Sequence, residues 1–406
     1  MSTSTPTDEL ADDKVTLPPV WLMALALVAV SANLRVAIAS VPPLASTIAA
    51  DLDLSSAWIG ALTTLPVLCM GLLAPAAQRM GVRLGAAVSV QIAIIAVFAG
   101  VLLRWWGDQL WALYAGTFIA GFGIAVAGTL LPRLVKAVFP PERTGTITGL
   151  YMFAMMGGAA ASSALSVPLA TRLGSWQGSL ASWSIPAAVG ALAWAPVALR
   201  LSRYGSANPV AATSHGLPWR HPTAWLVAAY LAVQSWQFYS SLAWIAPSYV
   251  DRGWNPTTAG YLLSAFGCAQ LISGLLGPVL TDKIHDHRAV LMPAAILGLV
   301  GMLGLLLTPD SAPWVWVCLL GLGQGAAFSL ALVLLVDYAQ TPAGSGRLTA
   351  MAFFVSYTIA SFGPTTTGAL RDLTGNFHAI WVLMALMMLV QIALATQMKP
   401  GLAKVP

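Results

Sequence analysis

The 406-residue chain is 58% hydrophobic and 8% charged, with a mean hydropathy of +0.78. No soluble domain hides that much apolar surface, so the chain reads as an all-α integral membrane protein rather than a soluble enzyme or scaffold. Its net charge of +5 is spread along the chain without a concentrated basic patch or tail, which excludes a nucleic-acid surface.

Residues 1–17 are rich in Pro and small residues, and acidic. They lack the basic start and apolar core of a signal peptide and are expected to form a disordered cytoplasmic tail. Apolar stretches long enough to cross a bilayer then recur to the end of the chain. Twelve spans are expected, at about 20–42, 56–77, 84–103, 111–133, 146–170, 179–199, 223–246, 258–280, 289–307, 314–336, 348–369 and 378–397. Placing both termini in the cytoplasm puts fourteen Lys and Arg residues on the inner side. The outer loops then hold four, Arg104, Arg172, Arg252 and Arg371, and this bias fixes the orientation.

Span 1 holds Arg35, the one ionisable side chain between Trp21 and Leu44, and no Asp or Glu lies within any other long apolar stretch. A charge near the bilayer centre costs about 2.5–3.5 kcal/mol on insertion scales and is tolerated where it lines a bundle interior or watery cavity beside a partner. With no acid at hand, the expected partner is the solute. The guanidinium fork can hold a planar or linear anion, a carboxylate or a nitro group through two parallel hydrogen bonds, as lysine cannot. The competing account is snorkelling, since Pro43 near the outer interface is eight residues on. On a continuous helix Ser31 and Ala32 lie one turn from Arg35 on the same face.

The second half repeats the first at an offset of about 200 residues. Gly71-Leu72-Leu73-Ala74-Pro75 returns as Gly274-Leu275-Leu276-Gly277-Pro278, and Gly121-Phe122-Gly123 returns as Gly321-Leu322-Gly323. Thr144 to Thr148 likewise returns as Ser345 to Thr349. The organisation is therefore an N-terminal six-helix bundle at 18–201, a cytoplasmic linker at 202–221, a C-terminal six-helix bundle at 222–398 and a tail at 399–406. The same register sets Arg35 over Tyr239, Asn33 over Gln237 and Ser31 over Ser235, so Arg35 and Tyr239 are expected to face each other as a clamp.

Span 7 concentrates Gln234, Ser235, Trp236, Gln237, Phe238 and Tyr239, too polar a run for a lipid-facing helix. Trp236 and Tyr239 are expected to stack on a flat solute while Gln234 or Gln237 supplies hydrogen bonds; interhelical packing is the alternative for each. Gln324, between Gly323 and Gly325 in span 10, is a further candidate, with Tyr151 and Tyr357 as weaker ones. Arg133 and Lys136 read as positive-inside anchors, and the tryptophans at span ends, including Trp105, Trp106, Trp111 and Trp176, as an aromatic belt. Gly157 to Ser163 and Gly363 to Gly368 read as close-packing surfaces on which the halves rock. Cys69, Cys268 and Cys318 have no metal-ligand spacing, and the His285-x-His287 pair has no further ligand nearby. No metal and no cofactor are expected.

These residues bear a resemblance to a known group. The twelve-span, six-plus-six chain resembles the major facilitator superfamily. Asn33-Leu34-Arg35, Pro132 through Pro140, Thr148-Gly149-Leu150-Tyr151, and Gln234-Ser235 with Phe238-Tyr239 before Ala243-Trp244 are similar to its cyanate and nitroimidazole transporter branch. The resemblance runs from about residue 20 to 395. It departs at Gln78 to Arg83, where the superfamily's loop carries an acid and this chain has none, while the repeat keeps Asp282-Lys283. It implies two pseudo-symmetric six-helix bundles in a bacterial inner membrane. It further implies transport by alternating access of a small anionic or nitro-type solute through Arg35, Asn33, Ser31, Tyr151, Gln234, Trp236, Gln237, Tyr239, Gln324 and Tyr357, in a monomer. An exporter of drugs or metabolites and a proton-coupled symporter are the alternatives. No buried Asp, Glu or His is available to titrate within the spans, so facilitated diffusion, exchange or a proton entering with the solute is expected, with Asp337 and Glu142 the only acids placed to act otherwise.

Overall fold

The structure is a computed structural model and describes residues 19–203, 216–281, 286–399 and 401–406. The expected tail at 1–17, most of the 202–221 linker, and Asp282, Lys283 and His285 lie outside the described residues.

Twelve membrane-crossing elements alternate in direction. Span 1 is built from pieces, Val20–Ser31, Val36–Ala39, Pro42–Leu44 and Ala45–Leu52. Span 2 is a bent pair, Ser56–Leu72 and Ala74–Leu84, with 56° between its arms; Pro75 at the start of the second arm has no N–H to continue the first. Spans 3 to 6 are Ala86–Leu103, Leu110–Val138, Pro141–Leu173, and Trp176–Ser182 with Ser184–Arg203. Spans 7 to 12 are Pro222–Asp251, Pro256–Thr281, Arg288–Leu307, Pro313–Asp337, Pro342–Thr374 and His378–Gln397. Pro141, Pro222, Pro313 and Pro342 open their helices where a missing N–H costs nothing. Gly174 and Gly375 close spans 5 and 11 in the left-handed region, at φ of 69° and 72°.

Among the described residues nine helices are long and apolar enough to cross a membrane alone, and the bent span 2 makes a tenth. Spans 7 and 11 fall short. They carry polar side chains, Gln234, Gln237, Ser240 and Ser361 among them, that are buried in the protein interior.

The two halves meet through spans 2 and 11 and through spans 5 and 8. Thr64 and Thr365 share a hydrogen bond of 2.8 Å, and Ser264 donates to the Ala160 carbonyl at 2.7 Å. Gly60 lies against the Pro364 backbone and Gly368 against that of Ser56, so closely that a methyl group on either glycine would overlap its neighbour. Asp372 accepts from the amides of Ser56 at 2.8 Å and Ala57 at 2.9 Å, capping span 2 from the other half. These contacts lie at mid-depth or on the side away from the chain ends, which is therefore the closed side. Beyond them is a vestibule of about 260 Å³ lined by Trp244, Asp251 and Arg371.

Several sequence expectations change here. Arg104 is not in an outer loop but 0% exposed at the end of span 3. Trp176 is buried, with its indole N–H donating to Asp51 at 2.8 Å, whereas Trp105, Trp106 and Trp111 are exposed as a belt requires. Gly158 and Gly363 pack within their own halves, against Ala32 and Trp236, while Gly368 packs across the interface. Residues 401–406 run back under spans 7, 10 and 11: Thr223 donates to the Ala403 carbonyl at 2.7 Å, and Val405 exchanges backbone bonds with Tyr338 and Gln340.

Candidate solute-binding site

Span 1 is not the continuous helix that its apolar run predicts. The helix stops at Ser31, Ala32 to Arg35 form a turn, and Val36–Ala39 resumes. In the turn the amides bond three residues back, Asn33 to Val30 and Leu34 to Ser31, each at 3.1 Å. Asn33 explains why. Its side-chain amide takes the Ala29 carbonyl at 2.8 Å, the acceptor its own backbone N–H would use in an α-helix, and also reaches Pro186 of span 6 at 3.0 Å. Gly158 on span 5 lets the bared Ala32 carbonyl approach where a methyl group would overlap it.

The break removes the shared face expected for Ser31 and Arg35. Ser31 is wholly buried without lining the cavity, and Asn33 is spent on holding the turn. Arg35 does face the interior. It is 8% exposed, and its Nη1 is buried with no hydrogen-bond partner among the described residues. Its Cζ stands 5.1 Å from the Phe238 ring centroid and 5.7 Å from that of Tyr239, both on span 7. The four ion pairs among the described residues, Arg252 with Asp310, His287 with Asp337, Arg288 with Asp286 and Arg371 with Asp251, all sit at span ends. None reaches Arg35.

Below Arg35 a cavity of about 90 Å³ runs toward the side of the chain ends, room for one small solute or a few waters. Arg35, Tyr239 and Gln270 lie at its mid-depth end, and Gly274, Leu275 and Leu332 line the way out. Met152, Met155 and Met156 of span 5 form one wall; Phe238, Phe328 and Tyr357 contribute aromatic faces. The Tyr239 and Tyr357 rings are 6.4 Å apart and Tyr357 packs on Phe353 at 5.5 Å. A side pocket of about 20 Å³ beyond Arg35 shares Arg35, Met156, Phe238 and Gln270 with the main cavity.

Of the ten residues singled out from the sequence, the structure brings Arg35, Gln234, Tyr239 and Tyr357 together around this cavity. Gln324 stands behind, wholly buried, its carbonyl and side-chain oxygen taken by Gln234 at 3.2 and 3.1 Å. Gln237 turns the other way and donates to Gln391 of span 12 at 2.7 Å, so it packs the C-terminal bundle. Trp236 lies against Gly363 of span 11 outside the cavity, where it cannot stack on a solute with Tyr239. Tyr151 is buried but absent from the lining, which takes its neighbour Met152. Asp337 is occupied by His287 at 3.1 Å, and Arg133 and Lys136 are exposed as anchors are. Sequence reasoning missed Phe238, Ser329, the methionine wall and Gln270. Gln270 carried the same signal as Gln324, a lone amide in an apolar span.

Comparison with known proteins identifies the family of the chain. The sequence profile described as Major Facilitator Superfamily matches residues 22–364 and 237–400. The chain is 31% identical to the cyanate transport protein CynX of Escherichia coli strain K12 over 364 residues, covering 90% of this chain and 94% of that protein. It is 31% identical to the 2-nitroimidazole transporter of the same strain over 348 residues, covering 86% and 88%. The crystal structure of a nucleoside transporter superposes with a TM-score of 0.74 at 15% identity, covering 93% of this chain and 99% of that one.

Proposed function

Because this chain belongs to the major facilitator superfamily and is a multi-pass membrane transporter, we propose that it moves a small solute bearing one negatively polarised planar group by alternating access, with Arg35 as the anchor. The observation that carries this reading is that Arg35 lines the cavity while its buried Nη1 has no hydrogen-bond partner among the described residues. Such a donor is costly unless something accepts from it; a carboxylate or nitro group does so along two parallel bonds, and a linear cyanate-like anion through one terminal atom. The relatives named for cyanate and 2-nitroimidazole fall in that class.

Between those two, the walls favour the flat, partly apolar solute. A compact inorganic anion leaves water with a full shell of donors to replace, and this cavity offers one guanidinium and a few neutral polar side chains, Gln234, Ser235, Gln270 and Ser329, within walls made mainly of methionine, leucine and aromatic side chains. A ring with a nitro or carboxylate group matches both ends: the polar group meets Arg35 and Gln270, and the ring meets Met152, Met155, Met156 and Phe328. Export of cationic compounds is disfavoured by the sign of the cavity. No carboxylate among the described residues lines it, so coupling to a proton would run through the solute or through Asp337, which His287 already holds. The proposal includes a monomer in a bacterial cytoplasmic membrane with both termini in the cytoplasm, so that the open side described above is the inner one.

The test is uptake by proteoliposomes of purified protein against nitroimidazoles, aromatic carboxylates, cyanate and nitrate, with Arg35→Lys and Arg35→Ala alongside. Saturable uptake of the ring-bearing anions that both variants lose supports the proposal. Undiminished uptake by Arg35→Lys overturns bidentate recognition.

A further inference from the structure

The prolines after Arg35 create a problem that a second arginine solves. Pro42 and Pro43 have no N–H, so the carbonyls of Ile38 and Ala39 lose their α-helical donors. The Val41 amide turns back to Ile38 at 3.4 Å, which in turn strips the carbonyl of Ala37. Within a bilayer a bare carbonyl is expensive, and each must be satisfied by another part of the protein. Ser163 of span 5 donates to Ala39 at 3.1 Å. Arg104 donates to Ala37 through Nη1 at 2.8 Å.

Arg104 is an unusual donor for this task. It is wholly buried, and among the described residues it has no carboxylate. Its other bond goes from Nη2 to the hydroxyl of Thr117 at 3.1 Å, and that hydroxyl is aimed by its own bond to the Leu113 carbonyl at 2.7 Å. Thr117 on span 4 and Arg104 on span 3 thus form a fixed arm that ends on the second helical position after the break, two residues from Arg35. The four-residue helix Val36–Ala39 is too short to hold its own direction. What fixes it is Arg104 on one side and Ser163 on the other.

We propose that Arg104 is a positioning residue for solute recognition: it pins the segment after the break in span 1, and so sets where the Arg35 guanidinium stands in the cavity. It touches no solute. This rests on the reading of Arg35 as the solute anchor, and the test separates the two.

Arg104→Lys keeps one charged donor within reach of Ala37, whereas Arg104→Gln and Arg104→Met do not. In proteoliposomes the KM for a nitroimidazole or benzoate is expected to rise about tenfold in the Gln and Met variants, with Vmax changed much less, and to return toward the parent value in Arg104→Lys. A second measurement needs no transport. Arg35→Cys, labelled by a water-soluble maleimide from the open side in a background lacking the native cysteines, should react at a rate that shifts several-fold when Arg104→Gln is added. An unchanged KM with a lowered melting temperature, or an unchanged labelling rate, overturns the proposal and leaves Arg104 a packing residue. If the parent protein transports none of the anions, the Arg35 reading fails, and the labelling rate still decides whether Arg104 sets the position of residue 35.

Discussion

The guanidinium of Arg35, in the first half of the chain, rests on the ring of Phe238 in the second, 5.1 Å from its centroid. The surroundings of Arg35 are therefore not the property of one bundle. In the proposed alternating-access cycle the ring that flanks the charge would move relative to it, which would couple the state of the site to the conformation of the whole transporter.

Phe238→Leu removes that ring while keeping apolar volume. A desolvated cation–π contact is worth about 0.5–2 kcal/mol, so solute KM should rise by roughly 2- to 30-fold, and Phe238→Tyr should stay near the parent. Equal KM values for the Leu variant and the parent, measured by initial-rate uptake, would mean that Phe238 only fills space.

Gln270 shares both the main cavity and the side pocket with Arg35. Its amide is a neutral donor and acceptor available to the polar end of the proposed solute. Gln270→Leu is expected to raise KM by about 2- to 10-fold, the worth of one neutral hydrogen bond, and to leave thermal stability within about 1 kcal/mol of the parent. Competition assays with a nitro compound and its amino analogue read this directly. A Gln270→Leu protein that still discriminates the pair as the parent does would place the recognition elsewhere.

Asp372 holds the closed side by accepting from the amides that open span 2. Asp372→Asn leaves those amides a neutral, weaker acceptor and is expected to loosen closure at neutral pH. A helix-terminal acceptor of this kind is worth roughly 0.5–2 kcal/mol, enough to shift the two-state population several-fold. Labelling of Ile59→Cys from the vestibule side by an impermeant maleimide should rise accordingly. A rate that does not change between the Asp and Asn forms at pH 7 would show that the cap does not bias the gate.

The fold was largely legible because a bilayer enforces it. Hydrocarbon admits only helices whose backbone bonds are closed within each segment, and so twelve apolar runs and their repeat name the architecture. Arg35 was legible for the same reason, since a charge in an apolar run stands out from any surroundings. The face of each helix was not. Gln234 and Gln237 are three residues apart on one helix and equally conspicuous in the sequence, yet one lines the cavity and the other bonds Gln391. The rotation of span 7 that separates them is set by packing against spans 11 and 12. Asn33 shows the limit most clearly. In the sequence it reads as a candidate for the solute site; folded, it takes over the Ala29 carbonyl and breaks the helix.

By itself, then, the sequence determined the membrane-spanning architecture, the six-plus-six repeat and the presence of one stranded cation, because burial in lipid is decided residue by residue from polarity. Only the tertiary structure decided that Arg104 is buried, that span 1 is broken, and that Gln270 and the methionines share a wall with Arg35. Each of those depends on which carbonyls and which helix faces meet across the bundle, a relation between distant segments that no local pattern encodes.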